Sequence, residues 1–230
     1  MKQIIALGGG GFSMEPDNPL LDEYILNQSD KERPKICLVP TASGDSEDYV
    51  ARFYAAFERL HCEPSHLSLF RPPTRDLRAW ILDKDIVYVG GGNTKNLLAL
   101  WREWGFDKIL YEAWEQGIVM AGLSAGSICW FEQGVTDSYG DGLEVIEGLG
   151  WLAGSHCPHY DGEEKRRPSY QKFINDHQLI AGVAADDGVA LHYTDHTLSK
   201  VVSSRPDASA YHVSLNAEKS ITPIFLGEKG

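Results

Sequence analysis

The sequence predicts an α/β fold, a three-layer sandwich with a mainly parallel central sheet and extra antiparallel strands near the C-terminus. Two patterns carry that prediction. In the first half, short β-branched or aliphatic runs alternate with longer stretches of helical periodicity, as successive βαβ units do. Each short run is apolar almost throughout, as a strand covered by helices on both faces must be.

The strands are expected at Gln3–Leu7, Lys35–Pro40, Ser65–Leu69, Ile86–Val89 and Ile118–Ala121, each bounded by Gly, Pro or a polar turn. Between them, helices are expected over Asp17–Asn27, Ser46–Leu60, Asn93–Trp104 and Phe106–Glu115. Tyr49, Phe53, Ala56, Phe57 and Leu60 share one helical face, and Leu97, Leu98, Leu100, Trp101 and Trp104 recur with helical spacing, marking core faces. The stretch from Gly134 to Gly154 is rich in glycine and reads as a long irregular loop, a candidate wall for a pocket. Beyond it come a helix near Pro168–Asn175, strand-like runs at Leu179–Ala184, Val189–Tyr193 and Leu198–Val202, and a hairpin around Ala210–Leu226. No linker or repeat divides the chain, so residues 1–230 are expected to form a single domain.

The formal net charge of −12 repels phosphate backbones and anionic lipid, which argues against nucleic acid and membrane surfaces as partners. Met1-Lys2-Gln3 runs straight into an apolar strand with no leader pattern, and no stretch approaches the roughly 18–20 apolar residues of a membrane helix. A cytoplasmic protein is expected, monomer or homodimer. Cys37, Cys62, Cys129 and Cys157 lie far apart with no C-x-x-C pair, so neither disulfides nor a zinc site is expected.

Gly122-Leu123-Ser124-Ala125-Gly126 follows the apolar run ending at Ala121 and precedes a helix-compatible stretch, the context of a nucleophile elbow. Glycine is wanted two positions either side of the serine because so tight a strand-to-helix turn leaves no room for side chains. Ser124 is the expected nucleophile. The Ala125 amide, at the head of the helix, is one expected oxyanion donor. Gly90-Gly91-Gly92-Asn93-Thr94 follows another strand and opens another helix. Gly91 and Gly92 are expected to supply the second donor, with Asn93 and Thr94 as substrate contacts. Neither this turn nor Gly8–Gly11 fits a nucleotide-binding fingerprint, and no cofactor is expected.

A serine hydroxyl needs an imidazole to take its proton. Among eight histidines, His156 and His159 lie beyond the elbow, and Pro158 fixes the backbone before His159, which is the preferred base. The imidazole in turn needs a carboxylate. Asp137 is the first choice, with Asp141, Glu144, Asp161, Glu163, Asp186 and Asp187 also in conceivable reach.

Taken in order, Gly8–Gly11, Val39-Pro40-Thr41-Ala42, Gly90–Thr94, the elbow at 122–126 and Pro158-His159 resemble peptidase E, the aspartyl dipeptidase family related to cyanophycinase. The resemblance covers most of the chain. It implies a class I glutamine amidotransferase-like (flavodoxin-like) fold and a serine peptidase acting on small peptides, with Ser124 as nucleophile, His159 as base, an acid from the segment holding Asp137, and an oxyanion hole shared by Gly92 and Ala125. It also implies an arginine downstream of the histidine that recognises an acidic N-terminal residue; Arg166 lies closest to that place, although its neighbours Glu163-Glu164-Lys165-Arg166-Arg167-Pro168 depart from the family pattern. Related chemistry on an isopeptide or ester, and a non-catalytic binding protein on the same scaffold, are the alternatives.

Overall fold

A computed structural model describes residues 1–227. Five strands, β1 (Gln3–Leu7), β2 (Lys35–Val39), β3 (Glu63–His66), β4 (Ile86–Val89) and β5 (Val119–Leu123), lie side by side in the order β3-β2-β4-β5-β1, all parallel. Beyond β1, the strands β10 (Val189–Thr194) and β11 (Thr197–Ser203) continue the sheet antiparallel, and the short β14 (Ile224–Phe225) ends it. This is the mainly parallel sheet with antiparallel additions that the sequence predicts.

Both faces of the sheet are covered, which explains the unbroken apolar runs. Ile5 and Leu7 point to the side of α1 (Gly11–Met14), α2 (Leu20–Leu26) and α3 (Glu47–Phe57), where Phe12, Leu21, Ile25, Phe53 and Phe57 are buried. Ile4 and Ala6 point to the other side, against α4 (Leu77–Leu82), α5 (Thr94–Trp104) and α6 (Phe106–Glu115), with Leu97, Trp101, Leu110 and Trp114 buried there. Sequence-local caps fix the helix starts: Ser46 accepts from the Tyr49 amide and Asn93 from the Asn96 amide, satisfying donors that a first turn leaves open.

A second sheet of six strands, β6 (Phe131–Thr136), β7 (Glu144–Glu147), β8 (Leu152–Cys157), β9 (Gly182–Ala185), β12 (Ala210–Ser214) and β13 (Ala217–Ile221), has the order β13-β12-β9-β8-β6-β7. It corrects the expectation of an irregular stretch from Gly134 to Gly154. Parts of three strands occupy about half of that span, and two of its glycines, Gly134 and Gly148, sit where neighbours press close: a Cβ at Gly148 would lie 2.2 Å from the Phe131 carbonyl oxygen. Helix α8 (Arg166–Asn175) packs on this sheet, with Tyr170 and Ile174 buried against Val135, Cys157 and Ala184. β3 begins two residues before the expected Ser65, since its pairing with β2 runs from Lys35↔Glu63 to Leu38↔His66. Leu67 and Leu69, which suggested the later strand, are core residues beyond the pairing.

Candidate active site

The nucleophile elbow forms where the sequence places it. β5 ends at Leu123, α7 (Ala125–Ile128) starts at the next residue but one, and Ser124 between them has φ 54 and ψ −115. A non-glycine residue in that region is strained and persists only where the surroundings enforce it. The flanking glycines are the enforcement. A Cβ at Gly122 would lie 2.2 Å from the Gly126 carbonyl oxygen, and one at Gly126 would lie 2.2 Å from that of Val89. Ser124 itself remains partly exposed among buried neighbours.

His159 follows β8 by two residues, also at φ 54. The chain leaving β1 connects it to the elbow: the Leu7 carbonyl accepts from the Ser124 amide at 3.4 Å, and the next carbonyl, Gly8, accepts from the His159 amide at 3.1 Å. Residues 124 and 159 are thus pinned to consecutive carbonyls of one segment. His159 Nδ1 lies 2.7 Å from Asp187 Oδ1, and both side chains are about nine-tenths buried. Because a carboxylate only accepts, the ring carries its proton on Nδ1, leaving Nε2 as the acceptor.

Asp137, expected as the acid, is not beside the imidazole. Its side chain is 64% exposed and lies 3.9 Å from Arg166 Nη2. The carboxylate on the ring comes instead from the β9–β10 connection, where the Asp187 amide donates to Asp161 Oδ1 at 2.8 Å. Asp141 and Glu144 stay in the β6–β7 hairpin. Arg166 is only 2% exposed: Nε donates to Glu163 at 2.6 Å and Nη1 to the Val135 carbonyl at 2.8 Å, so its guanidinium is already engaged.

The glycine run after β1 has a role that its sequence did not disclose. A Cβ at Gly9 would fall 2.0 Å from Asp187 Oδ1 and 2.9 Å from His159 Nδ1, and one at Gly162 would fall 2.2 Å from Asp187 Oδ2. Both glycines make room for the histidine–aspartate pair. The only sequence signal for Asp187 is its place in Asp186-Asp187-Gly188, a turn at the end of the apolar run Val183–Ala185.

The second glycine turn abuts Ser124, since a Cβ on Gly91 would lie 3.3 Å from Ser124 Cβ. The Gly91 amide is taken, donating to the Tyr49 hydroxyl at 3.0 Å. Gly92, at φ 136, lies so close to the Ala42 carbonyl that a Cβ would approach within 2.2 Å, and no group among the described residues accepts from its amide. Ala125, the first residue of α7, has an amide with no intrahelical acceptor. Asn93 and Thr94, expected to touch substrate, are bonded to the start of the β6–β7 connection: Asn93 Nδ2 donates to the Ser138 carbonyl and the Thr94 amide to Ser138 Oγ. A cavity of about 550 Å³ lined by Asp45, Val50, His66, Ser68, Phe70 and Arg71 includes neither Ser124 nor His159.

No helix among the described residues is long and apolar enough to cross a membrane. Residues 4–201 match the model of peptidase family S51. The chain is 60% identical over 229 residues to the uncharacterized peptidase YgaJ of Bacillus subtilis (strain 168), covering 100% of this chain and 99% of that one. Among solved structures, a peptidase from an acI-B1 Actinobacterium is similar at a TM-score of 0.69 and 19% identity, over 97% of this chain and 95% of the other. A Listeria monocytogenes EGD-e protein named for peptidase E is similar at 0.60 and 18%, over 96% and 98%; both likenesses are of fold. With the family match spanning most of the chain and a peptidase relative matched from end to end, the chain belongs to peptidase family S51, the peptidase E family of serine-type peptidases.

Proposed function

We propose that the protein hydrolyses short peptides through an acyl-enzyme on Ser124, with His159 as base and Asp187, rather than Asp137, as the third member of the triad. The observation that carries this reading is the 2.7 Å contact of His159 Nδ1 with Asp187, on a histidine tied to the same segment as the elbow. Ser124 Oγ attacks the peptide carbonyl as Nε2 takes its proton. The Gly92 and Ala125 amides donate to the oxyanion, and the imidazolium, stabilised by Asp187, protonates the leaving amine. Water, deprotonated by the same nitrogen, then releases the acid.

Labelling with a fluorophosphonate tests the assignment. Ser124→Ala abolishes labelling, Asp187→Asn lowers kcat by about 10³–10⁴-fold because the ring loses its tautomer and charge partner, and Asp137→Asn retains most activity. A protein that tolerates Asp187→Asn but not Asp137→Asn overturns it. Arg166 is buried, its Nε and Nη1 donate to Glu163 and Val135, and its Nη2 already faces the Asp137 carboxylate at 3.9 Å, which leaves little of its charge for an acidic residue of a substrate. Accordingly, a dipeptide panel gives kcat/KM values for Asp-Xaa and neutral Xaa-Xaa within about tenfold of one another. A preference for Asp-Xaa above about 10³-fold contradicts that specificity.

A further inference from the structure

Beneath the elbow lies a second serine and a second histidine that the mechanism above does not use. Ser127 Oγ is 2.8 Å from the Ser124 carbonyl oxygen and 3.1 Å from His156 Nε2. His156 is fully buried, stacked on Phe131 with ring centroids 4.7 Å apart, and its Nδ1 lies 3.1 Å from the Val183 carbonyl oxygen. The pair joins α7, on which the nucleophile stands, to β8 and β9 of the second sheet.

Counting protons shows what it does. Burial pushes the His156 imidazole down to about 3, so the ring is neutral. Its one proton sits on Nδ1, because the carbonyl opposite can only accept, which leaves a lone pair on Nε2 facing Ser127. The Ser124 carbonyl already accepts from the Ser127 and Ile128 amides, each at 2.9 Å. The single Ser127 hydroxyl proton is therefore shared between that carbonyl and Nε2. Two amides and one shared hydroxyl thus converge on the carbonyl of the strained residue of the elbow, and the buried ring holds the hydroxyl from behind.

We propose that Ser127 and His156 are positioning residues for the nucleophile, holding the Ser124 carbonyl and with it the left-handed backbone that presents Oγ. The inference rests on Ser124 being the nucleophile. A peptide group allowed to rotate would turn the hydroxyl away from His159 and the Ala125 amide away from the oxyanion, so the loss falls on the chemical step.

Ser127→Ala is expected to lower kcat and the fluorophosphonate labelling rate by about tenfold or more, with KM changed less than about twofold. His156→Phe keeps the stack on Phe131 but removes both hydrogen bonds, and loses activity similarly. His156→Gln, whose carboxamide oxygen can accept from Ser127, recovers most of it. A purely structural pair would lower the melting temperature and leave the kcat of the folded fraction unchanged. Should the variants fail to fold, ring-nitrogen NMR of the parent decides: phosphonylation of Ser124 shifts the His156 signals if the coupling exists, and unchanged signals overturn it. Folded Ser127→Ala and His156→Phe proteins that label at the parent rate also overturn it, whereas a parent that never labels sinks the nucleophile assignment itself.

Discussion

At the scale of single residues, catalytic geometry here depends as much on absent side chains as on present ones. Gly9 carries no chemistry, yet its Cα faces the histidine–aspartate pair so closely that one methyl group would displace it. Gly9→Ala is expected to lower kcat/KM by about 10²-fold, since an ångström of misplacement costs that much. Circular dichroism and calorimetry should still find a folded protein; unchanged kcat/KM would show that the pair can move without penalty. The proposed nucleophile and base, Ser124 and His159, could be picked out in the sequence because each depends on local grammar, a glycine-flanked serine between strand and helix and a histidine fixed by proline. Asp187 could not. A triad acid needs only to reach Nδ1, and any carboxylate brought there by strand order will serve, so Asp137 and Asp187 are indistinguishable until β9 is known to pair with β8. The glycines at 9 and 162 are the marks of that contact, but a glycine's missing neighbour cannot be named from sequence.

At the scale of elements, the first sheet was readable and the second was not, for one physical reason. Strands buried on both faces announce themselves as apolar runs, whereas β6, with the burial order of Phe131, Glu132, Gln133, Gly134, alternates weakly and contains a glycine. That glycine, like Gly148, belongs to close packing: a Cβ at Gly134 would lie 2.5 Å from Ile128 Cγ2 on α7. Gly142 differs, with open space around it and exposure to solvent. Gly148→Ala is therefore expected to destabilise the protein by about 1–3 kcal/mol through overpacking, and Gly142→Ala to stay within about 0.5 kcal/mol of the parent. Denaturant midpoints for the two variants measure the contrast. Equal effects would mean that the span behaves as the loop its composition suggests.

At the scale of the molecule, the residues of the proposed triad gather at the seam of two sheets: Ser124 from the end of β5 in the first, His159 from the end of β8 in the second, Asp187 from the crossing between β9 and β10. Folding buries titratable groups in their neutral forms, which makes stability depend on pH in two opposing ways. Burial lowers His156 to about 3 and His192 to about 4. Their folded values lie below the unfolded one near 6.5, so their contribution is present above it and lost as pH falls toward 4 and 3. Burial raises Asp22 to about 8 and Asp186 to about 6. Their folded values lie above the unfolded 3.8, so their contribution is present below it and lost as pH rises through 6 and 8. Only above about 7.5 have the unfolded histidines lost most of their protons, and from there Asp22 tilts the balance toward unfolding by at most about 1.4 kcal/mol per pH unit. Asp22 Oδ1 and the Tyr88 hydroxyl are both buried without a hydrogen-bond partner among the described residues and both lie close to Gly11, and an asparagine there keeps the shape of the carboxyl while never taking a charge. Asp22→Asn should accordingly gain stability over the parent as pH rises from 5 to 8, by a few kcal/mol in order of magnitude. Chemical denaturation at the two pH values measures it, and a difference between variant and parent that does not grow with pH would mean that Asp22 is ionised in the folded protein.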